Sequence, residues 1–246
     1  MNKPLKILIL DNTRDQIIWG ARNLVHWALK TSPEGSEVIV RRSPHGDLPS
    51  FDFKPDAIVL SGSSTSCMEK AEPWIASYDQ LVTHHIQAGT PILGVCYGHQ
   101  TVSRCLFKLK GQEPKLRTAP SGEHGWADIQ IIDDSILFEG LHKKFVSFQS
   151  HFEEVYEAPP GVRVFAESER CKIQAFQVVD RPIFGIQFHP EYTIEEGERN
   201  LVRKKEMGVR PDTILNPLQG SRLYDENVGK VIFGNFFKLA SSRRTR

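Results

Sequence analysis

The ten residues from Pro91 to Gln100, Pro-Ile-Leu-Gly-Val-Cys-Tyr-Gly-His-Gln, constrain this chain more than any other stretch. An apolar run, Pro91 to Val95, ends in a Gly-x-Cys-x-Gly made by Gly94, Cys96 and Gly98. Beyond it, Val102, Cys105, Leu106 and Leu109 recur at i, i+3, i+4 and i+7, which predicts a helix. A buried strand that turns sharply into a helix, with a nucleophile at the turn, is a nucleophile elbow. The glycines are required because so tight a turn leaves no room for Cβ atoms beside the nucleophile. The helix N-terminus then presents free N–H groups and the positive dipole end to the sulfur, a setting that favours thiolate. The competing reading is a buried cysteine in an ordinary strand-to-helix turn.

A cysteine nucleophile needs a base, and the base needs a group to orient it. Ile183 to Phe188 reads as another apolar strand, and His189-Pro190-Glu191 stands at its C-terminal end. His189 can take or give a proton. Glu191 can hold the imidazole in one tautomer and stabilise the imidazolium, and Pro190 limits the backbone between them. A lone His-Pro-Glu is a weak signal. Paired with Gly-x-Cys-x-Gly at a second strand end, it is specific.

The rest of the chain predicts the frame for these groups. Leu5 to Leu10 is nearly all apolar, as in a central parallel strand covered on both faces. Asp11-Asn12-Thr13 reads as a turn with helix-capping residues, and Ile17, Ile18, Ala21, Leu24, Val25 and Ala28 as a helical stripe. Strands follow at 37–41 and 56–60, then a helix carrying Trp74 to Ile86 with Gly89 at its end. This β-α-β alternation predicts an α/β fold with a doubly wound, mostly parallel, flavodoxin-like sheet. Its site should lie outside the carboxyl ends of the strands, where Ser61-Gly62 and Cys96 fall. After Leu109 the period changes. The stretches 125–131, 144–148, 154–156, 162–166, 173–178 and 183–188 read as short strands, several with the alternation of an added antiparallel layer. One domain over 1–246 explains this better than two, because His189 must return to Cys96. Gly208 to Asn227 is a polar stretch with Pro and Gly between two helices, either a functional lid or a disordered insert. The final helix is expected over 228–240, with a solvated, frayed Arg243-Arg244-Thr245-Arg246 tail.

Gly-Val-Cys-Tyr-Gly-His-Gln together with Gly-Ile-Gln-Phe-His-Pro-Glu resembles the class I, triad-type glutamine amidotransferases. The resemblance runs from about residue 5 to about residue 200 and is strongest to stand-alone proteins similar to the glutaminase domain of GMP synthetase. It implies cleavage of the glutamine γ-amide through a glutamyl-thioester, with Cys96, His189 and Glu191 on the triad positions. It also implies an oxyanion hole from a backbone N–H of Gly62 or Ser63 and that of Tyr97, and substrate contacts at Gln100, Ser150 and His151. The chain departs from the family's common Gly-Gly turn after the elbow helix, running instead into Phe107-Lys108-Leu109-Lys110 before Gly111.

Competing motifs are weak. Ser61 to Ser66 distantly suggests a pyrophosphatase Ser-Gly-Gly-x-Asp-Ser loop but lacks the second glycine and the aspartate. Ser150-His151 with Glu153 lacks a Gly-x-Ser-x-Gly elbow. The remaining histidines, His26, His45, His84, His85, His99, His124 and His142, are scattered, mostly over surface or helix positions, with none in a metal-ligand spacing, so no metal and no cofactor are expected. Net charge is +1 over 246 residues, which gives no electrostatic case for nucleic acid or an anionic membrane. No apolar run is long enough to span a bilayer, and the one after Met1 is too short for a signal segment. The four cysteines form no C-x-x-C pair, which fits a reducing, cytoplasmic setting.

Two function classes remain: a γ-glutamyl amide hydrolase acting on a small molecule, and a binding or regulatory module that keeps the fold without turnover. The complete triad favours the enzyme. A synthetase domain has no room in this sequence. Either a separate synthetase subunit receives the ammonia, or the protein hydrolyses a γ-glutamyl compound for its own sake, and the sequence leans slightly to the second.

Overall fold

The computed structural model describes residues 3–69 and 72–243; Met1 and residues 244–246 of the basic tail lie outside the described residues. The strands are β1 (Lys6–Asp11), β2 (Glu37–Arg42), β3 (Ala57–Leu60), β4 (Ile92–Val95), β5 (Leu116–Ile131), β6 (Lys144–Val155), β7 (Val162–Glu167), β8 (Ala175–Val178), β9 (Ile183–Ile186) and β10 (Ile214–Leu215). The helices are α1 (Arg22–Thr31), α2 (Pro73–Ala88), α3 (Tyr97–Leu109), α4 (Ile194–Glu206), α5 (Gly220–Leu223) and α6 (Glu226–Arg243).

Among the described residues, all ten strands join one sheet. Its first half, β2-β1-β3-β4-β9, is parallel throughout, the flavodoxin-like order expected from the alternation. Beyond β9 the strands β8, β7 and β5 continue the same sheet in antiparallel sense, and the long β6 folds back on β5.

The continuous apolarity of β1 follows from its place. Ile7 and Ile9 face a core shared with α1 and α6, where Trp27 stacks on Phe233 at 5.8 Å. Leu8 and Leu10 face the opposite core with Tyr78, Val102 and Leu106 of α2 and α3. A strand buried on both faces has no side left for polar residues.

Three elements differ from expectation. The predicted α1 stripe starts at Ile17, but the helix starts at Arg22, and Ile17 is 88% exposed. Asp15 Oδ1 accepts the N–H groups of both Ile17 and Ile18 at 2.8 Å, a local turn that competes with helix. Arg42 adds donors to the Gln16 and Thr13 carbonyls at 3.0 and 3.4 Å, pinning this loop to β2. The two short strands expected at 144–148 and 154–156 are one strand, β6, whose polar residues Ser147, Gln149 and His151 are buried. The 208–227 stretch supplies β10, which pairs with β5 through Ile214–His124 and Leu215–Gly125, and α5.

Candidate active site

The parallel strands deliver their C-terminal ends to one cleft of about 460 Å³. Gly62, Ser63, Cys96, Gln100, Ser150, His151, His189 and Glu191 all line it.

Cys96 sits between β4 and α3 with φ 52° and ψ −102°, a conformation that side chains rarely adopt. Its neighbours are glycines for a steric reason. A Cβ on Gly94 would stand 2.4 Å from the Gly98 carbonyl oxygen, and one on Gly98 would stand 2.5 Å from that of Leu60. The elbow is tied to β9 by the Cys96 N–H, which donates to the Ile186 carbonyl at 2.8 Å. The first bond of α3 runs from the Gln100 N–H to the Cys96 carbonyl at 3.1 Å, which leaves the Tyr97 N–H without an intrahelical acceptor.

His189 follows β9 and is held by an isolated bridge to β6, its N–H donating to the Phe148 carbonyl at 2.8 Å. Its Nδ1 lies 2.7 Å from Glu191 Oε1, with both side chains buried, and Tyr192 covers the imidazole at 4.7 Å between centroids. Burial opposes charge on His189, but the Glu191 carboxylate and the Cys96 sulfur outweigh it and raise its pKa well above the usual histidine range. The sulfur faces β6, with Sγ 3.9 Å from the Ser150 carbonyl oxygen.

Gly62 is packed against both reacting groups: a Cβ there would stand 3.0 Å from His189 Cε1 and 3.6 Å from Cys96 Cβ. The loop holding it is fixed by Asn12, which the sequence pattern places in a capping turn. Asn12 is fully buried, and its Nδ2 donates to the Ser61 carbonyl at 3.0 Å and to Tyr78 Oη at 2.9 Å. Its N–H donates to Ser61 Oγ at 2.9 Å, and its carbonyl accepts from Ser63 Oγ at 2.6 Å. The available signal was a polar residue at the end of a nearly all-apolar strand beside the switch point. The Tyr97 ring does not line the cleft and is buried among Trp74 and Tyr78.

The expected substrate contacts divide. Gln100 Nε2 donates to the Glu153 carbonyl at 2.9 Å and to Gln187 Oε1 at 3.1 Å. Ser150 Oγ faces the cleft and donates to Asn200 Oδ1 at 3.1 Å. The His151 imidazole is directed away from the cleft, with Nε2 3.0 Å from Glu123 Oε2 and Nδ1 3.1 Å from the Glu153 carbonyl oxygen. Spacing along the chain showed no metal-ligand pattern, yet the fold gathers Glu123, His151 and Cys171 with ligand atoms within 4.8 Å of one another. Ser168 and Gln174 also donate to Glu123, both at 2.9 Å, so the carboxylate anchors a buried hydrogen-bond network behind β6.

An elbow thiol facing a carboxylate-oriented histidine on a flavodoxin-like sheet defines a class of cysteine hydrolases and transferases. The chain matches the family model described as glutamine amidotransferase class-I over residues 22–208. It is 30% identical over 200 residues to a glutamine-hydrolyzing GMP synthase subunit from Pyrococcus abyssi, covering 80% of this chain and 95% of that protein. It is 38% identical over 142 residues to the GMP synthase of Thermosipho africanus, covering 58% of this chain and 25% of that one. A glutamine amidotransferase structure from Thermotoga maritima aligns with a TM-score of 0.75 at 18% identity, covering 97% of this chain and 99% of that one, a likeness of fold. The chain belongs to the class-I glutamine amidotransferase family, whose members are cysteine-nucleophile enzymes. Among the described residues, no helix is long and apolar enough to cross a membrane.

Proposed function

We propose that this protein hydrolyses the γ-amide of glutamine, or a closely related γ-glutamyl amide, with Cys96 as nucleophile, His189 as acid and base, and Glu191 as orienter. The observation that carries this is the cleft in which the strained Cys96 elbow and the buried His189–Glu191 pair meet. The Cys96 thiolate attacks the side-chain carbonyl carbon. The N–H of Tyr97 and that of Gly62 or Ser63 stabilise the oxyanion. His189 protonates the leaving nitrogen as the C–N bond breaks, giving ammonia and a thioester. His189 then takes a proton from water, whose oxygen attacks the thioester and releases glutamate and the Cys96 thiolate. Gln100, Ser150 and the His151 backbone hold the glutamyl portion.

The fate of the ammonia admits a second reading. The similarity to the Pyrococcus abyssi GMP synthase subunit, over nearly the whole of that protein's length, favours delivery to a separate synthetase chain. All four cysteines are free thiols, which suits the reducing cytoplasm expected from the sequence. The test is a steady-state comparison of glutamine, γ-glutamyl dipeptides and glutathione on the purified protein. Turnover of any of them supports the self-sufficient hydrolase. Glutamine hydrolysis that appears only when a synthetase is added supports the role of ammonia-delivering partner. An electrophilic glutamine analogue separates either from a silent module, because a module with an intact fold leaves Cys96 unlabelled.

A further inference from the structure

One face of α4 takes part in the cleft. Asn200, Arg203, Lys204 and Met207 follow one another at i, i+3, i+4 and i+7, and all line it. Leu201 and Gly197 turn inward instead, Leu201 clustering with Trp126 and Phe148 and Gly197 packing on the same two rings. The reaction described above uses neither cation of this face.

Lys204 is half-buried, with Nζ 4.1 Å from the centre of the Phe152 ring. Among the described residues, no carboxylate forms an ion pair with it. The two acids in the cleft wall are committed elsewhere. Glu191 holds His189, and Glu153 accepts from Ser66 Oγ and, at 2.7 Å, from the Cys67 N–H. Burial lowers the Lys204 pKa to about 8, while the Cys96 sulfur pulls it upward and Arg203 pushes with burial. A ring face offsets only part of the cost of a desolvated cation; an anion offsets more.

We propose that Lys204 is the counter-ion for a carboxylate of the γ-glutamyl substrate and fixes that substrate's orientation on Cys96. This rests on the hydrolase reading above. The carboxylate has two sources: the α-carboxylate of the glutamyl unit, or one on the leaving side, as in a γ-glutamyl amino acid.

The test compares wild type, Lys204→Gln, Lys204→Arg and, as a control on the exposed side of α4, Lys205→Gln. The substrates are glutamine, γ-glutamylglycine and glutamine α-amide. Loss of a charge-assisted contact should raise KM about tenfold or more in Lys204→Gln with kcat nearly unchanged. Lys204→Arg should recover most of it, and Lys205→Gln should match wild type. A defect on glutamine that vanishes on the α-amide assigns the α-carboxylate. A defect confined to γ-glutamylglycine assigns the leaving side. Equal KM for wild type and Lys204→Gln on both carboxylate substrates overturns the proposal. Where wild type alone shows no turnover, the same comparison is read from the concentration dependence of Cys96 labelling by an electrophilic glutamine analogue and its α-amide. An unchanged dependence in Lys204→Gln then overturns it. Absence of both turnover and labelling in wild type removes the hydrolase reading and this proposal with it.

Discussion

Glu191→Gln keeps the shape of the orienting side chain and removes its charge. His189 Nδ1 and Glu191 Oε1 are 2.7 Å apart, with side chains 6% and 5% exposed, so water screens the pair little. Hydrogen bonds to charged groups contribute about 1.5–3 kcal/mol and neutral ones about 1. The imidazolium therefore loses roughly 0.5–2 kcal/mol, or about one pKa unit. In activity the loss is larger, because the tautomer is no longer fixed: roughly 10²- to 10⁴-fold in kcat, by analogy with other triads.

The same substitution has a stability signature. The folded-state pKa of His189 lies above the unfolded value, burial being outweighed by Glu191 and Cys96. Its contribution is then fully present below an unfolded pKa of about 6.5 and is lost as pH rises through the folded value. Wild-type stability should fall across that window by up to about 1.4 kcal/mol per pH unit from this group. Urea unfolding in steps from about pH 6 to about pH 9 measures the slope, and groups common to both proteins cancel in the difference. Glu191→Gln should be flatter. Cys96→Ala, which removes the second group that raises the His189 pKa, should also be flatter. A Glu191→Gln profile parallel to wild type, with kcat within a factor of two, would refute the reasoning.

Cys96→Ala should lose all turnover yet unfold cooperatively, as checked by the assay and by circular dichroism. A stoichiometric electrophilic glutamine analogue should label Cys96 alone, read by peptide mass spectrometry, because burial raises the pKa of the other three thiols, that of Cys105 to about 12. Gly98→Ala should destabilise by about 1–3 kcal/mol and sharply reduce kcat, since its new methyl meets the rigid Leu60 backbone; unfolding midpoint and rate check both.

What the sequence made legible was whatever backbone geometry forces on residue type. The elbow leaves no room for a Cβ at Gly94 or Gly98, so the turn is written in glycine. Two-sided burial is written in the apolar runs of β1 and β4. The start of α1 was not legible, because Asp15 captures the N–H groups of Ile17 and Ile18 and ends an apolar stripe that looks helical. Asn12 and the cleft face of α4 were missed for another reason: hydrophobic periodicity finds the side of an element that packs and is silent about the side that works.

Ser150 and His151 show the same limit at single-residue scale. Both were expected at the substrate, yet they are neighbours in β6, and successive strand side chains point to opposite faces. With Ser150 Oγ toward the cleft, the His151 imidazole must go behind the strand. There Glu123, Ser168 and Gln174 hold it in a buried network. The consequence returns to the cleft through the backbone. With the strand fixed from behind, the Ser150 carbonyl stands 3.9 Å from Cys96 Sγ, and the Glu153 carbonyl receives Gln100 Nε2 at 2.9 Å. His151 therefore anchors β6 from behind, through Glu123 and the Glu153 carbonyl, while Ser150 Oγ stays on the cleft side of the strand.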